Sequence, residues 1–258
     1  MTRVIAIIGG KGGVGKTTVT SNLAAALAKL GNDVIAIDAN LTTPNLGLHL
    51  GYHLTPRNLH DVLKGETRIR NAIYAHPLGF KVIPGSMSVN DLEDVDAARL
   101  PEVALNLIGK TDFILLDSAA GLGREAMSAM TTADEILVVT NPDLPSLADA
   151  LKVVNVAKKR KKKVTGVIVN RRESKWYEVK KEEIEDMLSS PVIAEIPEDK
   201  NLPLSIRMKI PMVHLFPESE ASIEINRIAH HLTDKMFTYK KSEKSYNLVH
   251  RLVRWLNS

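Results

Sequence analysis

The stretch GGKGGVGKTT, residues 9–18, holds the residue types best suited to chemistry. From Gly10 to Thr17 it matches G-x-x-x-x-G-K-[ST], a spacing that binds nucleotide phosphates. Gly10, Gly12, Gly13 and Gly15, with Val14 between them, let backbone N–H groups turn inward around a β-phosphate. Lys16 is placed to reach the β- and γ-oxygens, Thr17 offers a hydroxyl to Mg²⁺, and Thr18 continues into a helix whose N-terminus adds partial positive charge. Lys11 is left over. On the outer lip of the loop it projects away from phosphates that Lys16 already holds, so within one subunit it has no obvious work. A second site of chemistry is Asp117, which closes the apolar run DFILLD (112–117) where a carboxylate can hold a Mg²⁺ water opposite Thr17. Capping the turn that follows the strand is its bland alternative.

These residues need a scaffold, and short apolar runs alternate with helical patterns along the chain. The runs are RVIAII (3–8), DVIAID (33–38), FKVIP (80–84), DFILLD (112–117), EILVVTN (135–141), VTGVIVN (164–170) and PVIAEIP (191–197). Most are apolar on both faces, which predicts parallel strands covered by helices on each side. Helices are predicted over 16–30, with Leu23, Leu27 and Leu30 on one stripe and Gly31 as the stop, and around 146–161, 180–188 and 222–237. The alternation predicts an α/β fold, a doubly wound and mostly parallel sheet with helices on both faces. Residues 1–237 are expected to form one domain, 238–245 a polar linker and 246–258 a separate tail.

The 258 residues include no cysteine, which excludes disulfides, thiolate zinc sites and cysteine-bound iron–sulfur clusters. No apolar run approaches the ~18 residues needed to span a bilayer, so a cytoplasmic location is expected. The net charge of +4 is unevenly spread. Six consecutive bases, KKRKKK, occupy 158–163, the tail is basic, and the remainder is acidic. His230 and His231 are adjacent and diverge on a helix, so no metal site is expected there.

The narrower pattern K-G-G-x-G-K-T, with its extra lysine at position 11, resembles the deviant phosphate loop of the MinD/ParA group of P-loop ATPases. The resemblance extends over residues 2–236. AIDANLTTPNLGLHLG (36–51) is similar to the group's switch I, ILLDSAAG (114–121) to its switch II, and TNPDLPSLADALK (140–152) to its post-strand helix entry. VIVNR (167–171) is similar to its adenine contact and IPED (196–199) to the loop over the base. Block order and wording most resemble the MinD branch. The resemblance implies that Lys11 crosses to the nucleotide of a second subunit when two ATP-bound monomers close. It implies that Asp38 supports the Mg²⁺ hydration shell with Asp117. Asn170, Arg171, Pro197, Glu198 and Asp199 would meet adenine; NRRE at 170–173 departs from the guanine-selective N-K-x-D, which favours ATP.

The group usually has an acid two residues after Asp38 to orient the attacking water, and this chain has Asn40. An amide oxygen can hold water but cannot take a proton or supply charge. Slow hydrolysis is expected, whether the asparagine is natural or introduced. Ala119 stands where proline is common in switch II, which loosens φ there.

On a helix, residues 246–258 place Leu248, Val249, Leu252, Val253, Trp255 and Leu256 on one broad face, with Arg251 and Arg254 on the other. Such a basic amphipathic segment either docks on the protein's own core or lies on an anionic membrane. The resemblance implies the second: a tail too weak to anchor a monomer but adequate when a homodimer pairs two of them. The basic run is a solvated helix end, an anionic-lipid contact or a DNA contact. The expected function is an ATP-dependent, Mg²⁺-dependent dimerisation switch, peripheral on the cytoplasmic face of the membrane, that positions cell-division or other polar machinery through an activator or cargo protein. Alternatives are a ParA-like DNA-segregation ATPase, an ATPase assisting a separate metallochaperone, and a catalytically idle scaffold.

Overall fold

The computed structural model describes residues 1–237; the expected linker and tail, 238–258, lie outside the described residues. In chain order the elements are β1 (Arg3–Gly9), α1 (Lys16–Lys29), β2 (Val34–Ala39), α2 (Leu46–Leu50), α3 (Leu59–Lys64), β3 (Tyr74–Ala75), β4 (Lys81–Ile83), α4 (Leu100–Leu105), β5 (Phe113–Ala120), α5 (Arg124–Thr132), β6 (Glu135–Thr140), α6 (Leu144–Lys159), β7 (Lys163–Arg172), α7 (Lys181–Leu188), β8 (Val192–Pro197), α8 (Leu202–Met208), α9 (Met212–Leu215) and α10 (Glu220–Leu232). The strands form one eight-stranded sheet in the order β3-β4-β2-β5-β1-β6-β7-β8. Every described pairing is parallel except β3 with β4.

Alternation along the central strands builds two cores. Ile5, Ile7, Leu115 and Val139 join one cluster with Leu23 and Leu27 of α1 and Ile225 and Ile228 of α10. Val4, Ala6, Ile8, Leu116 and Val138 join the other, with Leu147, Val153 and Val154 of α6 and residues of α3, α4, α5 and α7. The apolar runs lack period-two polarity because both faces of the sheet are covered. Each fully buried Leu or Ile contributes roughly 1.5–3 kcal/mol of transfer free energy.

Local chemistry sets the helix ends. Asp143 caps α6, accepting from the Ser146 backbone N–H at 2.9 Å and from the Ser146 hydroxyl at 2.8 Å. Gly31, at φ +86°, turns the chain after α1. The helix expected over 222–237 ends instead at Leu232. There the Thr233 hydroxyl donates to the Ala229 and His230 carbonyls, Arg3 donates to the Leu232 carbonyl, and Asp234 turns left-handed at φ +51°. The helix expected over 146–161 spans 144–159, so the last bases of the basic run leave it through Lys161 at φ +57°.

Candidate functional site

The phosphate loop spans the gap between β1 and α1 and is braced from three sides. Gly10 packs so closely on α6 that a Cβ there would lie 2.4 Å from the Asp149 carbonyl. Gly15 has φ +100°, and its missing Cβ leaves room for the Asn170 amide, which would otherwise sit at 2.1 Å. Asn170 Nδ2 donates to the Val14 carbonyl at 2.8 Å, and the Gly121 N–H donates to the Gly9 carbonyl at 3.0 Å. The loop is held by the segments that the sequence places around the nucleotide.

Lys16 is nearly buried, 8% exposed. Burial lowers its pKa and the Asp117 charge opposes that shift. Lys11, five residues earlier, is exposed, and among the described residues it has no hydrogen bond or ion pair. The two lysines of one loop therefore occupy opposite environments.

Asp38 and Asp117 are register partners and both are fully buried; Asp38 is the last residue but one of β2, while β5 continues past Asp117 to Ala120, so this aspartate does not close its strand as the apolar run suggested. Asp38 Oδ2 accepts from the Leu46 N–H at 2.9 Å, and the Thr20 hydroxyl donates to Asp117 Oδ1 at 3.4 Å. Asp38 Oδ1 and Asp117 Oδ2 have no partner. Burial raises the Asp117 pKa to about 6, against the neighbouring Thr17 hydroxyl, the Lys16 charge and the Thr20 hydroxyl. Burial, reinforced by the Asp117 charge, raises Asp38 well above the carboxylate range. Two adjacent buried carboxylates with orphaned oxygens, beside a hydroxyl, suit a hard divalent cation and its water shell. Thr17, Asp38 and Asp117 thus fit the metal that the sequence implies.

Asn40 is half-buried and turned into its own loop: Oδ1 accepts from the Thr43 hydroxyl at 3.2 Å and Nδ2 donates to the Thr43 carbonyl. The same loop is gripped from outside by groups that carry no sequence motif. Glu125 Oε2 accepts from the Leu41 N–H at 2.7 Å and the Thr42 N–H at 3.3 Å, and Oε1 accepts from the Thr42 hydroxyl. His60 is buried, accepts from the Ser86 N–H at Nδ1 and donates from Nε2 to the Leu41 carbonyl at 3.0 Å. Burial lowers its pKa, so it bridges the two loops as neutral imidazole. Glu125 begins the helix after 114–121, so one carboxylate ties the loop after β2 to the segment after β5. Thr20, one helical turn beyond Lys16, joins the site without a motif of its own, and its i+4 spacing from Lys16 is the only sequence signal for it.

Asn170, Arg171, Pro197, Glu198 and Asp199 line one cavity with Thr18, beside the phosphate loop. Arg171, at φ +59°, directs Nε to within 3.7 Å of Glu198 Oε2. The Asn170 amide divides its capacity: one contact goes to Val14, leaving a second N–H and the oxygen for a base. Among the described residues no group of His, Cys, Asp and Glu forms a further metal site, His230 and His231 included. The tail residues Leu248, Val249, Arg251, Leu252, Val253, Arg254, Trp255 and Leu256 lie outside the described residues.

Comparison with known proteins shows the family of the chain. The family described as the CobQ/CobB/MinD/ParA nucleotide binding domain matches residues 5–212. An uncharacterized ATP-binding protein of Methanocaldococcus jannaschii is 35% identical over 99% of this chain and 97% of its own length. The septum site-determining protein MinD of Thermotoga maritima is 34% identical over 82% of this chain and 81% of its own length. The solved structure of the septum site-determining protein MinD complexed with Mg-ADP, from Pyrococcus horikoshii, superposes with a TM-score of 0.87 at 38% identity, covering 96% of this chain and 99% of that one. The family match over residues 5–212 and the 34–38% identity to septum site-determining relatives over most of the chain show that this chain belongs to the CobQ/CobB/MinD/ParA family as a MinD-like member.

Proposed function

We propose that the chain is an ATP-hydrolysing switch that dimerises on ATP, and that dimerisation brings two basic tails onto an anionic membrane surface. The observation that carries this reading is the contrast between the lysines of one loop: Lys16 buried against Asp117, Lys11 exposed and without a partner among the described residues. A solvated lysine on the rim of a phosphate site is free to meet the γ-phosphate of a facing subunit, and its charge stabilises that contact only while the anion is present.

Within one subunit Lys16 draws charge from the β- and γ-oxygens. Thr17, Asp38 and Asp117 would hold Mg²⁺, which supplies further positive charge to those oxygens. Asn40, released from Thr43, would orient the attacking water through its amide oxygen without accepting its proton. Asn170, Arg171 and Pro197, with Glu198 and Asp199 beside them, would contact adenine where they line the cleft next to the phosphate loop. Hydrolysis removes the phosphate that Lys11 holds in trans, the subunits part, and each single tail is left with marginal membrane affinity. A septum-site protein among the relatives supports a role in positioning a division apparatus or other polar machinery through a partner protein.

The test is co-sedimentation with anionic vesicles in ATP and in ADP, for the full chain and for the tail variant L252E/W255E. Binding should be strong only in ATP and only with the intact tail. Equal binding in both nucleotides by the unaltered chain would sink the switch.

A further inference from the structure

The proposed nucleotide site lies at the C-terminal ends of the strands, and the opposite edge of the sheet has a character of its own. β1 runs from Arg3 to Gly9, so the two edges stand about 20 Å apart. On the far edge, the start of β7 and the end of α10 meet through one carboxylate. Lys163 Nζ donates to Glu135 Oε2 at 3.1 Å, Arg3 Nε donates to Glu135 Oε1 at 2.6 Å, and Arg3 Nη1 donates to the Leu232 carbonyl. Lys235 Nζ then donates to the Leu30 carbonyl at 2.9 Å, fixing the chain as it leaves α10. The basic run and the start of the C-terminal segment are therefore separated by little more than an arginine and a glutamate.

Charge on this edge is unbalanced. Lys158 and Lys162 are anchored to backbone carbonyls, Lys158 to Ser189 and Lys162 to Thr131 and Ala133, and Lys163 is paired with Glu135. Lys159, Arg160 and Lys161 are exposed, and among the described residues none makes an ion pair. Of the neighbouring carboxylates, Asp33 is paired with Lys81 and Glu135 with Arg3 and Lys163, whereas Asp112 and Asp134 accept from the Asp33 and Val4 N–H groups and keep their charge, as does Asp96, which shares a cavity with Arg160. Apolar side chains stand on the same edge. Leu105 is 65% exposed and Ile108 is 47% exposed at the end of α4, next to Gly109, whose N–H donates to Thr2 at the start of β1. Met236 is 90% exposed just past Lys235.

We infer that this edge, with Lys159, Arg160 and Lys161 as its charge and Leu105, Ile108 and Met236 as its apolar contacts, docks on an anionic lipid surface independently of nucleotide. The inference deepens the membrane reading above. Bases near an anionic bilayer each contribute about 1 kcal/mol, and apolar side chains among them find hydrocarbon that a nucleic acid does not provide. The described residues end on this edge, just past Met236. The edge supplies a weak standing affinity, and the paired tails add the nucleotide-dependent part.

The experiment uses the full chain in ADP with vesicles of phosphatidylcholine alone or with phosphatidylglycerol added, at low salt. K159E/R160E/K161E should weaken binding to the anionic vesicles on the order of 100-fold. Lipid-free ATP hydrolysis should stay unchanged, because these side chains lie on the edge away from the nucleotide site, while the melting temperature should fall by a few degrees, since glutamates replace bases at the C-terminus of α6. The neutral variant K159Q/R160Q/K161Q should lose less, and L105S/I108S should weaken binding several-fold without changing its salt dependence. Unchanged anionic-vesicle binding in the charge-reversed variant overturns the inference. So does loss of duplex-DNA binding with vesicle binding intact, which would make the edge a nucleic-acid surface. If the unaltered chain binds equally in ATP and ADP while the charge-reversed variant still loses binding, the nucleotide switch fails and the edge stands.

Discussion

The two edges of the sheet solve opposite electrostatic problems. At the C-terminal edge, charge is buried: Asp38 and Asp117 sit fully inside, side by side, with an orphaned oxygen each, and Lys16 is drawn in against them. At the N-terminal edge the buried acid is consumed, since Glu135 is satisfied by Arg3, Thr165 and Lys163, and a surplus of bases faces solvent. Glu135 is buried too, yet those donors overcome desolvation and hold its pKa at about 2. Asp117 is pushed up to about 6 because its donors are too few. Burial alone does not mark a reactive carboxylate; burial with an unfilled hydrogen-bonding capacity does.

The sharpest way to break the comparison is to remove the buried lysine. K16A should lower ATP hydrolysis by a factor on the order of 10³ and abolish nucleotide-dependent assembly, measured by phosphate release and sedimentation. Restoring an acid at the water-orienting position comes next: N40D should raise the turnover rate on the order of 10- to 100-fold if charge limits hydrolysis. An unchanged rate would mean that positioning suffices.

The contrast between Asp117 and Glu135 has a pH signature. A carboxylate raised from 3.8 to about 6 stabilises the fold below its unfolded pKa, and that stability is lost as pH rises through about 6. Without Mg²⁺ and nucleotide, the fold should therefore lose on the order of 1–3 kcal/mol between pH 4 and pH 7.5 from Asp117. D117N should flatten the profile, and Mg²⁺ with nucleotide should remove it, both read as melting temperature against pH. Glu135 behaves oppositely: its lowered pKa gives stability above the unfolded value of 4.5, lost as pH falls through about 2. The smallest effect is expected at the loop clasp. E125A frees the Leu41 and Thr42 N–H groups and should cost about 1–2 kcal/mol, with faster amide exchange confined to residues 40–43.

These contrasts were only partly legible in the sequence. The apolar runs predicted every strand from β1 to β8 apart from β3, because burial on both faces leaves continuous hydrophobic stretches. β3 escaped because Tyr74 and Ala75 pair antiparallel at the sheet's edge with too few residues to form a pattern. α5 escaped because it buries mainly Ala126, Ala129 and Met130, a face with little hydrophobic signal. Within the site, the phosphate loop and Asp117 carry local signals, a glycine spacing and an apolar run followed by an acid, whereas Asp38 was reached only through the family resemblance. Glu125 and His60 were not, because each meets Leu41 only after the chain has folded back, 84 residues away for Glu125 and 19 for His60. For Asn170 the structure adds a role the sequence did not suggest, since its amide braces the phosphate loop at Val14 as well as lining the cavity expected for adenine.

Sedimentation velocity of the full chain with Mg²⁺ and either ATP or ADP, compared with K11A, reads whether the exposed lysine senses a phosphate on another subunit. The unaltered chain should be a dimer in ATP and a monomer in ADP, and K11A should be a monomer in both nucleotides, with nucleotide still bound. A dimer that forms in ADP, or one that K11A leaves intact in ATP, would contradict that role.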